Sequence, residues 1–471
     1  MLILAAGHGT RMRSSLPKVL HPLCGRPLLL WPIEAAREAG AERIVVVLGP
    51  DSDEIQRALP PGVDVAIQAQ ADGTAGAVRA AGDQIAGSKH VMVLSGDHPL
   101  IDAAFLEELA KHHLDSGAAA TVTTRELDDP GQYGRIIRGA DGGVERIVET
   151  KAPGDATSEE LAVKEINLGT YVFETELLLE SLEKVRPDNS QGELYLGDVL
   201  PLMRAAGRGV SAHLAASDFA GLGINTRADL AEVSAIARRD ILQRHMLAGV
   251  TVTDPASTFI EVDVRIGADT IVEPYTILRG RVEIGSGCRV GPMTTLIDCF
   301  VGTAASVVHS YLEGCEVLER CTVGPFAYIR PGTMLRDGAK AGSFVEIKNS
   351  DIGEGTKVPH LSYIGDADVG AGSNIGAGNL TANYDGKDKH RTVIGSDVRT
   401  GVDTAFVAPV TVGDNAYTAA GSVITEDVPE GALGVARSRQ TNIEGYAEAV
   451  LEESENEQSG AMSEKGDERD E

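Results

Sequence analysis

Between residues 266 and 424 one inward-type residue recurs every sixth position, a spacing that few architectures can use. Ile266, Val272, Leu278, Ile284, Val290 and Leu296 form one run, and Val317, Val323, Ile329, Leu335, Ala341 and Ile347 a second. Val358 and Ile364 keep another register, and Phe406, Val412, Thr418 and Ile424 a last one. A helix repeats about every 3.6 residues and a strand about every two, so neither satisfies this period. A solenoid of short flat faces does, each face turning one side chain inward and three faces closing a triangular coil. The small or polar residue after the inward one, often glycine (267, 285, 291, 324, 365), is expected to form the corner. A narrow interior also accounts for 54 glycines beside only 4% aromatic residues. Most of these Ile and Val residues are then core and nothing more.

Before residue 226 the pattern is different. Arg43 to Gly49 follows a helix-like stretch from Ile33 to Ala39, and Val91 to Leu94 runs into Ser95-Gly96-Asp97. Continuous β-branched runs separated by helices predict an α/β doubly wound, Rossmann-like parallel sheet covered on both faces. Ligands in such sheets sit beyond the carboxyl ends of the strands. From Thr226 a helix is expected, capped by Thr226 with Asp229 three residues on and ended by Gly249. The expected organisation is therefore a nucleotide domain at 1–225, a linker helix at 226–249, the solenoid at 250–447 and a disordered tail at 448–471. The tail holds ten acids against Lys465 and Arg469, which is −8 of the total formal charge of −28. The first strand starts at Met1 with no residues to spare, which leaves open a start a few residues upstream.

That acidic balance argues against a nucleic-acid partner. Five cysteines (24, 288, 299, 315, 321) without a C-x-x-C pair suit a reducing cytoplasm. No apolar run is long enough for a membrane span, and no leader is recognisable at the N-terminus.

The string Leu4-Ala5-Ala6-Gly7-His8-Gly9-Thr10-Arg11-Met12, with Pro17-Lys18 after it, follows the first strand. Small residues and glycines let backbone N–H groups approach a phosphate, and Arg11 and Lys18 add positive charge. It is neither the dinucleotide fingerprint nor a Walker loop. Asp97, at another strand end, fits a Mg²⁺ ligand, a turn-forming carboxylate being the alternative. Gln68, Gly73 and Thr74 are candidates to read a base. These motifs resemble the sugar-1-phosphate nucleotidyltransferases, and over about residues 2 to 446 the chain is similar to the bifunctional bacterial family that makes UDP-N-acetylglucosamine.

The resemblance implies two activities: acetyl transfer from acetyl-CoA to glucosamine 1-phosphate, then uridylyl transfer from UTP with release of pyrophosphate, supplying a cell-wall precursor. It implies that Leu4, Ala5, Ala6, Gly7, Arg11, Lys18, Gln68, Gly73, Thr74 and Ser95-Gly96-Asp97 bind the nucleotide. Gly134, Glu149 and Asn167 would hold the N-acetylglucosamine moiety, and Asp97 and Asn225 the Mg²⁺. In the solenoid it implies His360 as general base with Glu346 orienting it. Arg330 and Lys348 would hold the phosphate, and Tyr363, Asn374 and Lys389 the sugar. Acetyl-CoA would meet Ala377, Asn383, Tyr384, Val402, Ala420 and Arg437 across the interface of a homotrimer, with a left-handed β-helix as the trimerising element. The chain departs from the family pattern at Ala71, at Ala75-Gly76 where Gly-His is usual, and at Val402 where many relatives carry serine. A backbone contact would survive the last change; a hydroxyl contact would not. A purely regulatory β-helix leaves His360, Asn383 and Tyr384 without a reason to coexist, and an inert scaffold leaves Arg11, Lys18, Asp97 and Asn225 without one.

Overall fold

Strand periodicity in the N-terminal half distributes one sequence over two cores. Leu2, Val45, Val47 and Val93 face one apolar cluster, and Ile3, Ile44, Val46 and Leu94 the other, so both faces of the sheet are buried. In this computed structural model the central sheet runs in the order Val210–Leu214, Ala120–Glu126, Glu165–Glu174, His90–Ser95, Leu2–Leu4, Ile44–Leu48, Val63–Ile67. Every neighbouring pair is parallel except those of Glu165–Glu174, which is antiparallel to both its neighbours. A hairpin of Arg135–Arg138 and Val144–Val148 adds to that strand through Ile166 and Arg135. The structure describes all residues except 8, 151–153, 188–191, 217–220 and 465–471.

The helix Arg227–Leu247 begins with a reciprocal cap: Asp229 N donates to the Thr226 hydroxyl, and Thr226 N to the Asp229 carboxylate. It is packed along its length. Val233 and Ala237 join Met12, Leu23, Leu28 and Ile224 in a third core cluster. Packing accordingly divides the chain at residue 308, into Met1–Val308 and His309–Glu471, so the helix and the first solenoid coils share a unit with the α/β sheet.

Both units contain parallel β-helix coils. In the first, Ile271 pairs with Arg289 and Arg289 with Ser306; in the second, Tyr328 pairs with Glu346 and Glu346 with Tyr363. Inward residues stay buried where the six-residue count fails: Val301 and Val307 in the first unit and Leu312 in the second are all fully buried. Some faces are simply five residues long, and the apolar pattern slips by one there. The corners also differ from expectation. Gly291 and Gly324 do take left-handed φ values of 99° and 97°, but Gly267, Gly285 and Gly365 do not. A Cβ on Gly267 would lie 2.6 Å from Ser286 N of the next coil, so close stacking rather than dihedral freedom requires that glycine. Left-handed corners are taken instead by side chains such as Asp269, Tyr275 and Asp366.

The tail is a second correction. Residues expected to be disordered from 448 onward form the helix Tyr446–Glu464, since Ala, Glu, Gln and Leu are good helix formers. Residues 465–471 of that expectation lie outside the described part.

Candidate active sites

In the α/β unit, strand Leu2–Leu4 delivers its glycine-bearing loop and strand His90–Ser95 delivers Asp97 to the same sheet edge, because the two strands are parallel neighbours. Gly9 takes φ 58°, and a Cβ there would lie 2.5 Å from Lys18 Cβ, so this glycine lets the loop fold onto Lys18. The Lys18 ammonium is paired with Asp97 and lies 3.3 Å from Asn225 Oδ1. Arg11 Nη2 donates to the same amide oxygen at 2.9 Å, and Ser95 Oγ donates to Asp97 Oδ1 at 2.7 Å. Asn225 is placed by the helix start: its N–H donates to Asp229, and Ile224 N donates to the Asp97 carbonyl.

Burial alone would raise the Asp97 carboxyl. The charges of His98 and Lys18, with hydrogen bonds from Lys18 and Ser95, reverse this and lower it to about 2. A permanently ionised carboxylate and a neutral amide oxygen thus converge on one ammonium. That is the donor set of a hard divalent cation that keeps waters and substrate phosphates as its other ligands, so these residues fit Mg²⁺. Among the described residues no group of three or more His, Cys, Asp or Glu side chains could hold a metal by itself.

The cleft behind this edge has a volume of about 490 Å³ and is lined by Leu4 to Gly7, Lys18, Gln68, Gly73, Thr74, Ser95, Asp97, Glu149 and Asn167, among others. Of the residues expected to bind nucleotide or sugar, Arg11, Gly96, Gly134 and Asn225 do not line it. Gly96 packs beneath, where a Cβ would be 3.0 Å from the Leu4 carbonyl, and the Gly134 carbonyl accepts from Asn167 N at 2.9 Å. The Asn167 amide donates to the Tyr171 hydroxyl at 2.7 Å, and the Thr74 hydroxyl accepts from Leu196 N at 2.9 Å. His98, Tyr171 and Tyr195 also line the cleft and were missed by sequence reasoning. Neighbouring motif residues could have flagged His98; nothing local marks the two tyrosines.

In the second unit, in-register stacking turns Tyr328, Glu346 and Tyr363 into a column, and Arg330 and Lys348, each two residues on, share its outer face. Lys348 pairs with Gly365, where a Cβ would be 2.3 Å from the Tyr363 hydroxyl. Contact with the Lys348 side chain lowers the Lys389 ammonium from its ordinary range. Lys389, Asn383 and Tyr384 belong to an insertion in the coil series: Asp351 pairs with Asp368, but Asp368 pairs with Val393, a longer step. Asp366, which sequence reasoning did not single out, ties this cluster together. Its carboxylate accepts from Asn349 Nδ2 at 2.6 Å and from Asn383 Nδ2, with Lys348 Nζ at 3.5 Å.

The expected Glu346–His360 contact is not formed. Glu346 Oε1 accepts from Arg330 Nη1 at 2.7 Å, because the two are a coil apart on one ladder. His360 stands on the adjacent ladder opposite Ser343, exposed, and its backbone carbonyl accepts from the Ser362 hydroxyl at 2.8 Å. Asn374 lies beside Lys357 and Arg399 on that ladder. Ala377 and Val402 offer carbonyls that already accept from Asp403 N and Gly421 N, both at 2.8 Å. Ala420 and Arg437 are exposed, and Arg437 Cδ lies 3.8 Å from where a Cβ on Gly421 would stand.

The fold and these two constellations define a class: a nucleotidyltransferase-type α/β unit carrying hexapeptide β-helix coils. Residues 1–195 match the MobA-like NTP transferase domain, and residues 263–298 the bacterial transferase hexapeptide of six repeats. Among curated relatives, the bifunctional protein GlmU of Streptomyces avermitilis is 51% identical over 95% of this chain and 93% of its own length. Those of Geobacillus sp. and Mycobacterium tuberculosis are 44% and 48% identical, covering 97% and 92% of their lengths. The chain belongs to the family of bifunctional GlmU proteins, and its β-helix is of the left-handed hexapeptide type.

Proposed function

We propose that this chain makes UDP-N-acetylglucosamine in two steps at two separate sites, one in each packed unit. The observation that carries the reading is a charged constellation in each unit: Lys18, Arg11, Asp97 and Asn225 at the sheet edge, and Arg330, Lys348, Lys389 and Asp366 on the solenoid. Functionally the chain divides at 1–225, 226–249, 250–447 and 448–471.

In the first step the amine of glucosamine 1-phosphate attacks the thioester carbonyl of acetyl-CoA; the C–N bond forms, the C–S bond breaks and the thiol leaves. His360 takes the amine proton, Arg330 and Lys348 hold the phosphate, and Tyr363, Asn374 and Lys389 the sugar. Asn383, Tyr384, Ala377, Val402, Ala420 and Arg437 meet acetyl-CoA. In the second step a phosphate oxygen of the acetylated sugar attacks the α-phosphorus of UTP and pyrophosphate leaves. Two anions must meet there, so Lys18 and Arg11 neutralise charge, while Gly134, Glu149 and Asn167 orient the sugar. Asp97 and Asn225 would hold Mg²⁺, which supplies further neutralisation between the phosphates.

A homotrimer is supported by an exposed apolar ridge on the second unit, where Phe326 and Phe344 stack at 5.2 Å beside exposed Leu361. A cytoplasmic setting is supported by five free cysteines; no helix among the described residues is long and apolar enough to cross a membrane. Incubation with glucosamine 1-phosphate, acetyl-CoA, UTP and Mg²⁺, omitting each in turn and identifying products by mass, tests the reading. Formation of UDP-N-acetylglucosamine from glucosamine 1-phosphate in the absence of acetyl-CoA would refute it.

A further inference from the structure

Gln68 is buried at the cleft wall, and both neighbours of its amide nitrogen are obligate acceptors: Nε2 donates to Asp72 Oδ1 at 2.7 Å and to the Gly73 carbonyl at 3.0 Å. A carboxylate and a carbonyl cannot donate, so the amide cannot be turned round without losing both bonds. Its oxygen, which can only accept, is the end left for the cleft that Gln68 lines. Asp72 itself does not line that cleft. Its backbone is pinned on both sides, the carbonyl accepting from Leu194 N at 2.7 Å and the N–H donating to the Gln70 carbonyl at 2.9 Å. Its carboxylate occupies the space over Gly76, where a Cβ would lie 1.8 Å from Oδ1 and 2.3 Å from Cγ. Only glycine at 76 leaves Asp72 this position.

We propose that Asp72, given its place by Gly76, sets the nucleobase specificity of the cleft by fixing Gln68 as an acceptor toward the base; this rests on the proposed use of UTP and on Gln68 as a residue that reads its base. Uracil presents a donor, N3–H, along its pairing edge, whereas cytosine N3 is an acceptor. A locked acceptor therefore favours uridine over cytidine nucleotides, and an amide free to turn favours neither. Asp72 is a positioning residue acting through Gln68.

The test is kcat/KM of the full chain with UTP and with CTP, at fixed N-acetylglucosamine 1-phosphate and Mg²⁺, for the wild type, Asp72→Ala and Gly76→Ala. Asp72→Ala removes one of the two bonds that orient the amide, and Gly76→Ala drives the carboxylate out while leaving Asp72 in the sequence. Each is expected to lower the UTP:CTP ratio by about tenfold, the value of one charge-assisted hydrogen bond at its weaker end, with CTP use rising relative to UTP use. The double variant is expected to go no further than either single one. A ratio unchanged in both single variants, with both substrates slowed equally, overturns the proposal. A wild type that uses both nucleotides equally overturns instead the placement of the base at Gln68.

Discussion

His113 should make the α/β unit acid-labile, and the size of the effect follows from its surroundings. The side chain is 2% exposed, with Nδ1 2.9 Å from the Thr121 hydroxyl and Nε2 3.1 Å from His90 Nδ1. Burial first, then the neighbouring His90, lower it from 6.5 to about 4. The folded state therefore keeps His113 neutral, whereas the unfolded chain binds a proton below about 6.5. Stability is full above that value and is lost as pH falls toward about 4, at about 1.4 kcal/mol per pH unit. Between pH 7 and pH 5 the loss is about 2 kcal/mol, and His90, lowered in the same direction, adds to it. Urea unfolding followed by the fluorescence of Trp31, the single tryptophan, measures this at each pH. Other groups titrate too, so the comparison is with His113→Gln, whose amide can bond Thr121 and His90 but does not ionise. The variant should be less stable at pH 7 and lose less on acidification, by about 2 kcal/mol between pH 7 and 5. Parallel pH profiles for the two proteins would refute the argument.

Asp97→Ala should abolish uridylyl transfer and spare acetyl transfer; the two assays, run separately, check this, and near-normal Mg²⁺-dependent UDP-sugar synthesis would contradict the assignment. His360→Ala should lower acetyl transfer by about 10²- to 10⁴-fold with uridylyl transfer intact, and equal loss of both would make His360 structural. Glu346→Gln should raise KM for glucosamine 1-phosphate more than it lowers kcat, since Glu346 holds Arg330 rather than His360; a selective fall in kcat would restore it as the partner of the base. Gly9→Ala should cost uridylyl transfer at least about tenfold, because a φ of 58° and the approach to Lys18 both exclude a Cβ; steady-state kinetics with UTP decide it.

The sequence by itself determined the two kinds of architecture and supplied the candidate site residues. A period of six admits a solenoid and little else, and β-branched runs between helices admit a parallel sheet, because burial on a repeating geometry forces an equally regular apolar pattern. The glycine-bearing loop and Asp97 were legible because each follows directly on an apolar strand. Tertiary structure decided everything that depends on which neighbours arrive from afar. It kept Val301, Val307 and Leu312 buried where shorter faces break the count. It packed the helix Arg227–Leu247 into a core rather than leaving it as a joint. It gave Glu346 to Arg330, since register along a ladder, not nearness in sequence, chooses the partner of a side chain on a β-helix. It also gathered Asn349, Asn383 and Lys348 around Asp366 and made Asp72 the neighbour of Gln68. A lone carboxylate carries no sign in the chain of what it will accept; only the donors that folding places around it define its role.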